Sequence, residues 1–219
     1  FRGRGEPLAN YRNVVSVLEL LVSDWSYGMS RRRVTVSTSG IVPHINKLAD
    51  DCNVALAVSL HASSDDLRDQ IVPINKLHPI NTLLEACWQY AEKRSKRFIT
   101  FEYVMLRGVN DSIAHANQLA SLLKGKPAKV NLIPFNPFFG TEFKRSSVET
   151  IRHFQDRLRE RGLIATTRKT RGDDIDAACG QLAGKVSDRI KKPLGKKIIA
   201  PKTSPEKPNG HSDIRLSSV

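Results

Sequence analysis

The sequence predicts an α/β fold built on a parallel sheet, and three observations carry that expectation. Segments of strand and helix character alternate along most of the chain, the pattern of crossover connections between parallel strands. The runs VALAV, FITFEYV and VNLI are nearly continuously apolar, as strands covered on both faces should be. Most of the expected strands also end in small polar residues, which suits strands opening onto a ligand-binding rim. A doubly wound sheet and a (βα) barrel satisfy these observations equally.

The elements follow in order. Residues 8–25 place Leu8, Val14, Val15, Val17, Leu18, Leu20, Leu21 and Val22 at helical spacing, and Gly28 closes the segment. RRRVTVSTSG reads as a strand ending in small polar residues, and a helix over 41–50 follows it. VALAVSLHA is the next strand. Ser63, Ser64 and Asp65 offer caps for the helix after it, and another helix is expected from Asn81 to Lys93. FITFEYVML is a strand, Asp111 opens a helix through Leu123, and KVNLIPFNPF is a strand ending in a polar loop. Val148 to Arg161 is a helix, LIATTRKT a short strand, and Asp174 to Ala183 a last short helix.

Length and composition bound the rest. The chain has 219 residues, 40% of them hydrophobic, enough for one domain with a sizeable core. No apolar stretch approaches the roughly 20 residues of a membrane helix, and no secretory signal opens the chain. Three widely spaced cysteines, Cys52, Cys87 and Cys179, form no CxxC pair, so a reducing cytoplasm is the simplest setting. The net charge of +13 favours a polyanionic partner, RNA or DNA. Residues 188–219 are rich in Lys, Pro, Ser and Gly without periodicity. They are expected to form a disordered basic tail behind a domain at 1–187. The chain starts with Phe1 inside what reads as a motif, so it is expected to be the later part of a longer protein.

The polar strand ends are the candidate site. In order they are Gly5-Glu6-Pro7, Ser37-Thr38-Ser39-Gly40, Ser59-Leu60-His61 and Asn136-Pro137. Together they offer a carboxylate, hydroxyls, an imidazole and an amide, the groups that a nucleoside carrying an amino acid requires. Cys179 lies in TRGDDIDAACGQLAGKV, with Arg168, Lys169 and Arg171 before it and Gly180 after it. Nearby cations favour the reactive thiolate, but Asp173, Asp174 and Asp176 offset them. Composition therefore leaves a reactive and a packing thiol both open.

Six segments carry a resemblance. RGEPLANYRNV, RRVTVSTSGIVPHI, VALAVSLHASSDDLRDQIVPIN, FEYVMLRGVNDS, VNLIPFNPF and TRGDDIDAACGQL resemble, in order, the RlmN family of radical S-adenosylmethionine RNA methyltransferases. The match spans roughly residues 1–185. It implies a partial (βα) barrel of the radical S-adenosylmethionine type, of which this chain holds the later strands. It implies S-adenosylmethionine contacts at Gly5, Glu6, Ser37, Ser59, Leu60, His61 and Asn136, and it makes Cys179 the methyl-carrying catalytic residue. One departure is FRGRGEP, where the family usually reads FMGMGEP, so Arg2 and Arg4 stand in methionine places.

The implied reaction methylates C2 of an adenosine in 23S rRNA and of the adenosine beside the tRNA anticodon. A first S-adenosylmethionine methylates Cys179. A radical made from a second, at a [4Fe–4S] cluster, abstracts hydrogen from that methyl group, and the carbon radical adds to the electron-poor C2. A cofactor radical is needed because C2 is no nucleophile. The resemblance also implies an electron donor for the cluster and a cytoplasmic, monomeric enzyme. The cluster motif CxxxCxxC occurs nowhere in the sequence, so the chain alone is expected to bind no metal and to be inactive. A C8-methylating relative and a non-catalytic RNA-binding barrel remain the alternatives. An ordinary barrel enzyme acting on a phosphorylated metabolite would want a Gly-rich phosphate loop, and none is present.

Overall fold

The computed structural model describes residues 5–52, 54–93, 97–138 and 140–168. Cys179, Arg2, Arg4, the helix expected at 174–183 and the tail 188–219 lie outside these residues.

Five strands, β1 (Thr35–Thr38), β2 (Ala55–Ser59), β3 (Ile99–Met105), β4 (Ala128–Pro134) and β5 (Ile164–Thr167), pair in the order of the chain. Every pairing is parallel. The connections are helical: α2 (Val42–Asp51), α3 (Asp65–Ile71), α4 (Ile80–Lys93), α5 (Ile113–Leu123) and α6 (Val148–Glu160). The helix before β1 is α1 (Tyr11–Val22), shorter at both ends than the apolar pattern predicts. Pro7–Asn10 forms a 3-10 turn ahead of it. Its C-terminal end comes where Ser23 turns extended and its carbonyl accepts from Ser26 N–H and Gly28 N–H.

The two sheet faces differ, which corrects the expectation of strands covered on both faces. Val36, Leu56, Val58, Phe101, Tyr103, Val130 and Leu132 are fully buried in one continuous core, into which α4 sends Leu83, Cys87 and Tyr90 and α6 sends Phe154. Residues alternate across a strand, so the intervening positions form the other face. There Ser59, Glu102, Asn131 and Thr166 stand side by side in register across four strands. Ser59 and Asn131 are half-buried and Thr166 is exposed. The apolar runs conceal this because Ala55, Ala57, Val104 and Ile133 share that face with the polar residues.

Two caps also differ from expectation. Asp111 does not open α5: Ser112 is the N-cap and accepts from His115 N–H at 3.3 Å. Asp111 instead accepts from Gly108 N–H and Ser146 Oγ–H. Ser64 holds the N-cap position of α3 but makes no capping hydrogen bond. Cys52 and Cys87 are buried, and burial pushes the Cys87 thiol up to about 12, so it stays protonated and inert. No helix among the described residues is long and apolar enough to cross a membrane.

Candidate functional site

The C-terminal ends of β1, β2 and β3 are joined by one polar network. It begins at Glu6. Gly5, at φ +110°, takes a left-handed backbone open to glycine and turns the chain into the 3-10 segment. Glu6 Oε1 caps that segment by accepting from Leu8 N–H at 3.0 Å. Its Oε2 accepts from both the N–H and the Oγ–H of Ser39, each at 2.6 Å. The carboxylate of the GEP segment is therefore held against the end of β1. Ser39 is no helix cap; its hydroxyl is spent on Glu6. Gly40 follows at φ +116°, with Leu83 so close that an added Cβ would stand 3.1 Å from its Cδ1.

The next link is Arg68, a residue that sequence reasoning missed. Its side chain is wholly buried. Nη2 donates to the carbonyls of Ser39 (2.7 Å) and Ser59 (3.1 Å), Nε to Leu60 (3.0 Å), and Nη1 to Asn75 Oδ1 (2.8 Å). One planar guanidinium thus ties the end of β1 to the end of β2, a task for which its fixed fork of donors suits it. Burial lowers Arg68 to about 10, while Asp65 and Asp69 act in the opposite direction, so it stays charged at neutral pH. Asn75 is fixed in turn by donating to both of these carboxylates.

His61 ends the β2 segment at φ +61°, a left-handed conformation uncommon outside glycine. Three hydrogen bonds hold it there. Its N–H donates to the Glu102 carbonyl, which also accepts from Leu60 N–H. Its carbonyl accepts from Asn110 Nδ2, and its Nδ1 accepts from Val104 N–H at 3.1 Å. An accepting Nδ1 carries no proton, so the ring is neutral with its hydrogen on Nε2. Burial, then the charge of Arg68, lower His61 to about 4, against a smaller pull from the Glu102 backbone. On the open face Ser37 Oγ donates to Glu102 Oε2 at 3.1 Å, and Ser59 stands beside Glu102 in register. Glu102 is only 4% exposed.

The network thus gathers Glu6, Ser37, Ser59, Leu60 and His61. Leu60 contributes through its backbone alone, since its side chain is buried in the core. Asn136 is not gathered in. It lies two residues past β4, half-buried, and its side chain has no hydrogen-bond partner among the described residues. Cys179 lies outside the described residues. Glu102 had a signal in the sequence, a lone carboxylate in the apolar run FITFEYVM. Arg68 had none, because arginine is rarely buried. Among the described residues no group of three or more His, Cys, Asp or Glu is placed to hold a metal ion.

No protein-family model matches the chain. Among solved structures, it is similar to a radical SAM (S-adenosylmethionine) methyltransferase from Sphaerobacter thermophilus, with 49% sequence identity over 81% of this chain and a TM-score of 0.77. The chain spans about half, 52%, of that protein. It also superposes on a domain of pyruvate-formate lyase-activating enzyme from Bacteroides vulgatus, with a TM-score of 0.58 over 75% of this chain and 95% of that domain. At 18% identity the second likeness speaks for the fold alone. The sequential parallel sheet and its crossover helices are those of the partial barrel of radical S-adenosylmethionine enzymes.

Proposed function

We propose that this chain supplies the cofactor rim and the methyl-carrying cysteine of an RNA methyltransferase that modifies C2 of adenosine in 23S rRNA and tRNA. The carrying observation is the 49% identity, over 81% of this chain, to a radical SAM methyltransferase. The proposed activity is that of a protein as long as that relative, acting as a cytoplasmic monomer with an electron donor. S-adenosylmethionine, when bound, supplies the methyl group.

The donor set of the rim fits that cofactor. Glu6 offers a carboxylate to its ammonium. Ser37 and Ser59 offer hydroxyls, and neutral His61 a ring N–H, to its polar groups. Asn136 has an amide to give that has no hydrogen-bond partner among the described residues. A [4Fe–4S] cluster does not fit residues 1–219, which contain no CxxxCxxC, so its ligands belong elsewhere in such a protein. Cys179 is a thiol that can hold one carbon next to the target base.

The test is mass spectrometry of the active protein and its RNA. The peptide containing Cys179 should carry an added methyl group, and Cys179→Ala should abolish RNA methylation. Cys52→Ala and Cys87→Ala should leave the chemistry intact. Nucleoside analysis should find 2-methyladenosine; 8-methyladenosine would favour the C8-methylating alternative. Full activity in Cys179→Ala would end the proposal.

A further inference from the structure

A second feature lies at the opposite end of the strands from this rim. Residues 23–33 join α1 to the N-terminal end of β1 and read SDWSYGMSRRR. Trp25 is 100% exposed and Tyr27 68% exposed. Leaving the largest apolar side chain wholly in water gives up the stabilisation that burial would bring. The loop is nevertheless ordered. Ser23 O accepts from Ser26 N–H (3.1 Å) and Gly28 N–H (2.9 Å), Met29 N–H donates to Leu21 O (2.9 Å), and Trp25 N–H donates to Ser23 Oγ (3.3 Å). Both aromatic rings are therefore presented on a built turn.

Arg31, Arg32 and Arg33 follow directly, all exposed, and none has an ion-pair partner among the described residues. Arg31 lines a cavity together with Glu19, Asp50 and Asp51; of these acids Asp50 pairs with Lys93 and Asp51 accepts from Tyr11 Oη–H. Asp24 is the acid within the loop itself. Three adjacent guanidinium groups repel one another unless a polyanion neutralises them. Exposed aromatic faces beside arginines that form no ion pair with a described residue are what unpaired RNA requires: bases stack on the rings and phosphates meet the cations.

We infer that residues 23–33 form an RNA-docking surface that holds a single-stranded segment by stacking on Trp25 and Tyr27 and by phosphate contacts to Arg31, Arg32 and Arg33. The surface lies a strand length away from the rim, so it positions RNA and takes no part in the chemistry. The inference extends the RNA-methyltransferase reading, but its readout needs no S-adenosylmethionine, so either can fail alone.

The test uses the 219-residue chain and a fluorescein-labelled, unstructured oligoribonucleotide. Anisotropy gives the affinity across a salt series. Trp25→Ala with Tyr27→Ala should weaken binding at least fivefold. Arg31→Glu, Arg32→Glu and Arg33→Glu together should make the slope of log affinity against log salt shallower by about 2, at roughly 0.7 per phosphate. Trp25→Phe, which keeps a stacking face, should retain most of the affinity. RNA should quench the tryptophan emission, and the quenching should vanish in Trp25→Ala, since Trp88 is the other of two tryptophans. Circular dichroism should show the variants folded as wild type. Wild-type affinity and salt slope in both multiple variants would overturn the inference and leave the methyltransferase reading standing. So would undetectable binding to RNA at low salt, or tighter binding to anionic vesicles than to RNA.

Discussion

The ends of β1–β3 and the end of β4 meet the same requirement in opposite ways. At the first, Glu6, Ser39, Arg68, His61, Glu102 and Asn110 exchange hydrogen bonds until each polar group is held by several others. At the second, Asn136 follows Pro134 and Phe135 with its amide bonded to no described residue. The first end is a frame whose geometry is set before any ligand arrives. The second carries an amide that makes no hydrogen bond to a described residue. Preorganised donors cost little on binding because their entropy is already spent. Stability and binding should therefore separate between the two ends.

Arg68→Leu is the most severe test of that separation. It would strand the carbonyls of Ser39, Ser59 and Leu60 and leave Asp65 and Asp69 without their buried cation. Chemical denaturation should show a loss of about 3 kcal/mol or more. A loss under 1 kcal/mol would mean that the frame is held by backbone pairing alone.

Gly40→Ala comes next. Its φ of +116° strains any side chain, and the new Cβ would press on Leu83. The expected cost is about 2 kcal/mol, measured the same way. His61 should report through pH. Its folded value, about 4, lies below the ordinary 6.5, so the folded state resists protonation. The stability it contributes is complete above about pH 6.5 and is lost as pH falls toward 4, by up to about 1.4 kcal/mol per unit. Denaturation midpoints between pH 7 and 4.5 should fall less steeply in His61→Gln than in wild type. Equal slopes would mean that the ring is not buried neutral.

Asn136→Ala should have the smallest effect on folding, within about 0.5 kcal/mol. On the proposed function it should still weaken S-adenosylmethionine binding in the active protein, measured by equilibrium dialysis. A large stability loss with unchanged binding would erase the contrast between the two ends.

Most of the sheet was legible because the apolar runs and polar strand ends follow directly from local sequence. Ser37, Ser59 and His61 stood out in the same way, as polar residues at the ends of apolar runs, and the structure joins them to Glu6 in one network. The open face of the sheet was not legible. Ala55 and Ala57 make VALAV look two-sided, and nothing in a single strand reveals that its alternate residues line up with Glu102, Asn131 and Thr166 until the register is known. Arg68 was hidden for a different reason. Its partners are backbone carbonyls from two other elements, and a carbonyl leaves no trace in the identity of its residue. Asp111 offered a cap signal that Ser112, one position later, in fact supplies.

The strand order carries a last consequence, for assembly during synthesis. Each strand lies beside the one made just before it, so no strand must wait for a later segment to find its first neighbour. The sheet can grow from one side as the chain emerges, each crossover helix closing a short loop rather than a long one. A chain cut after Pro134 would keep β1 to β4 in their present pairings. Removing β2 would instead sever the sheet, and with it the strand whose end Arg68 ties to β1.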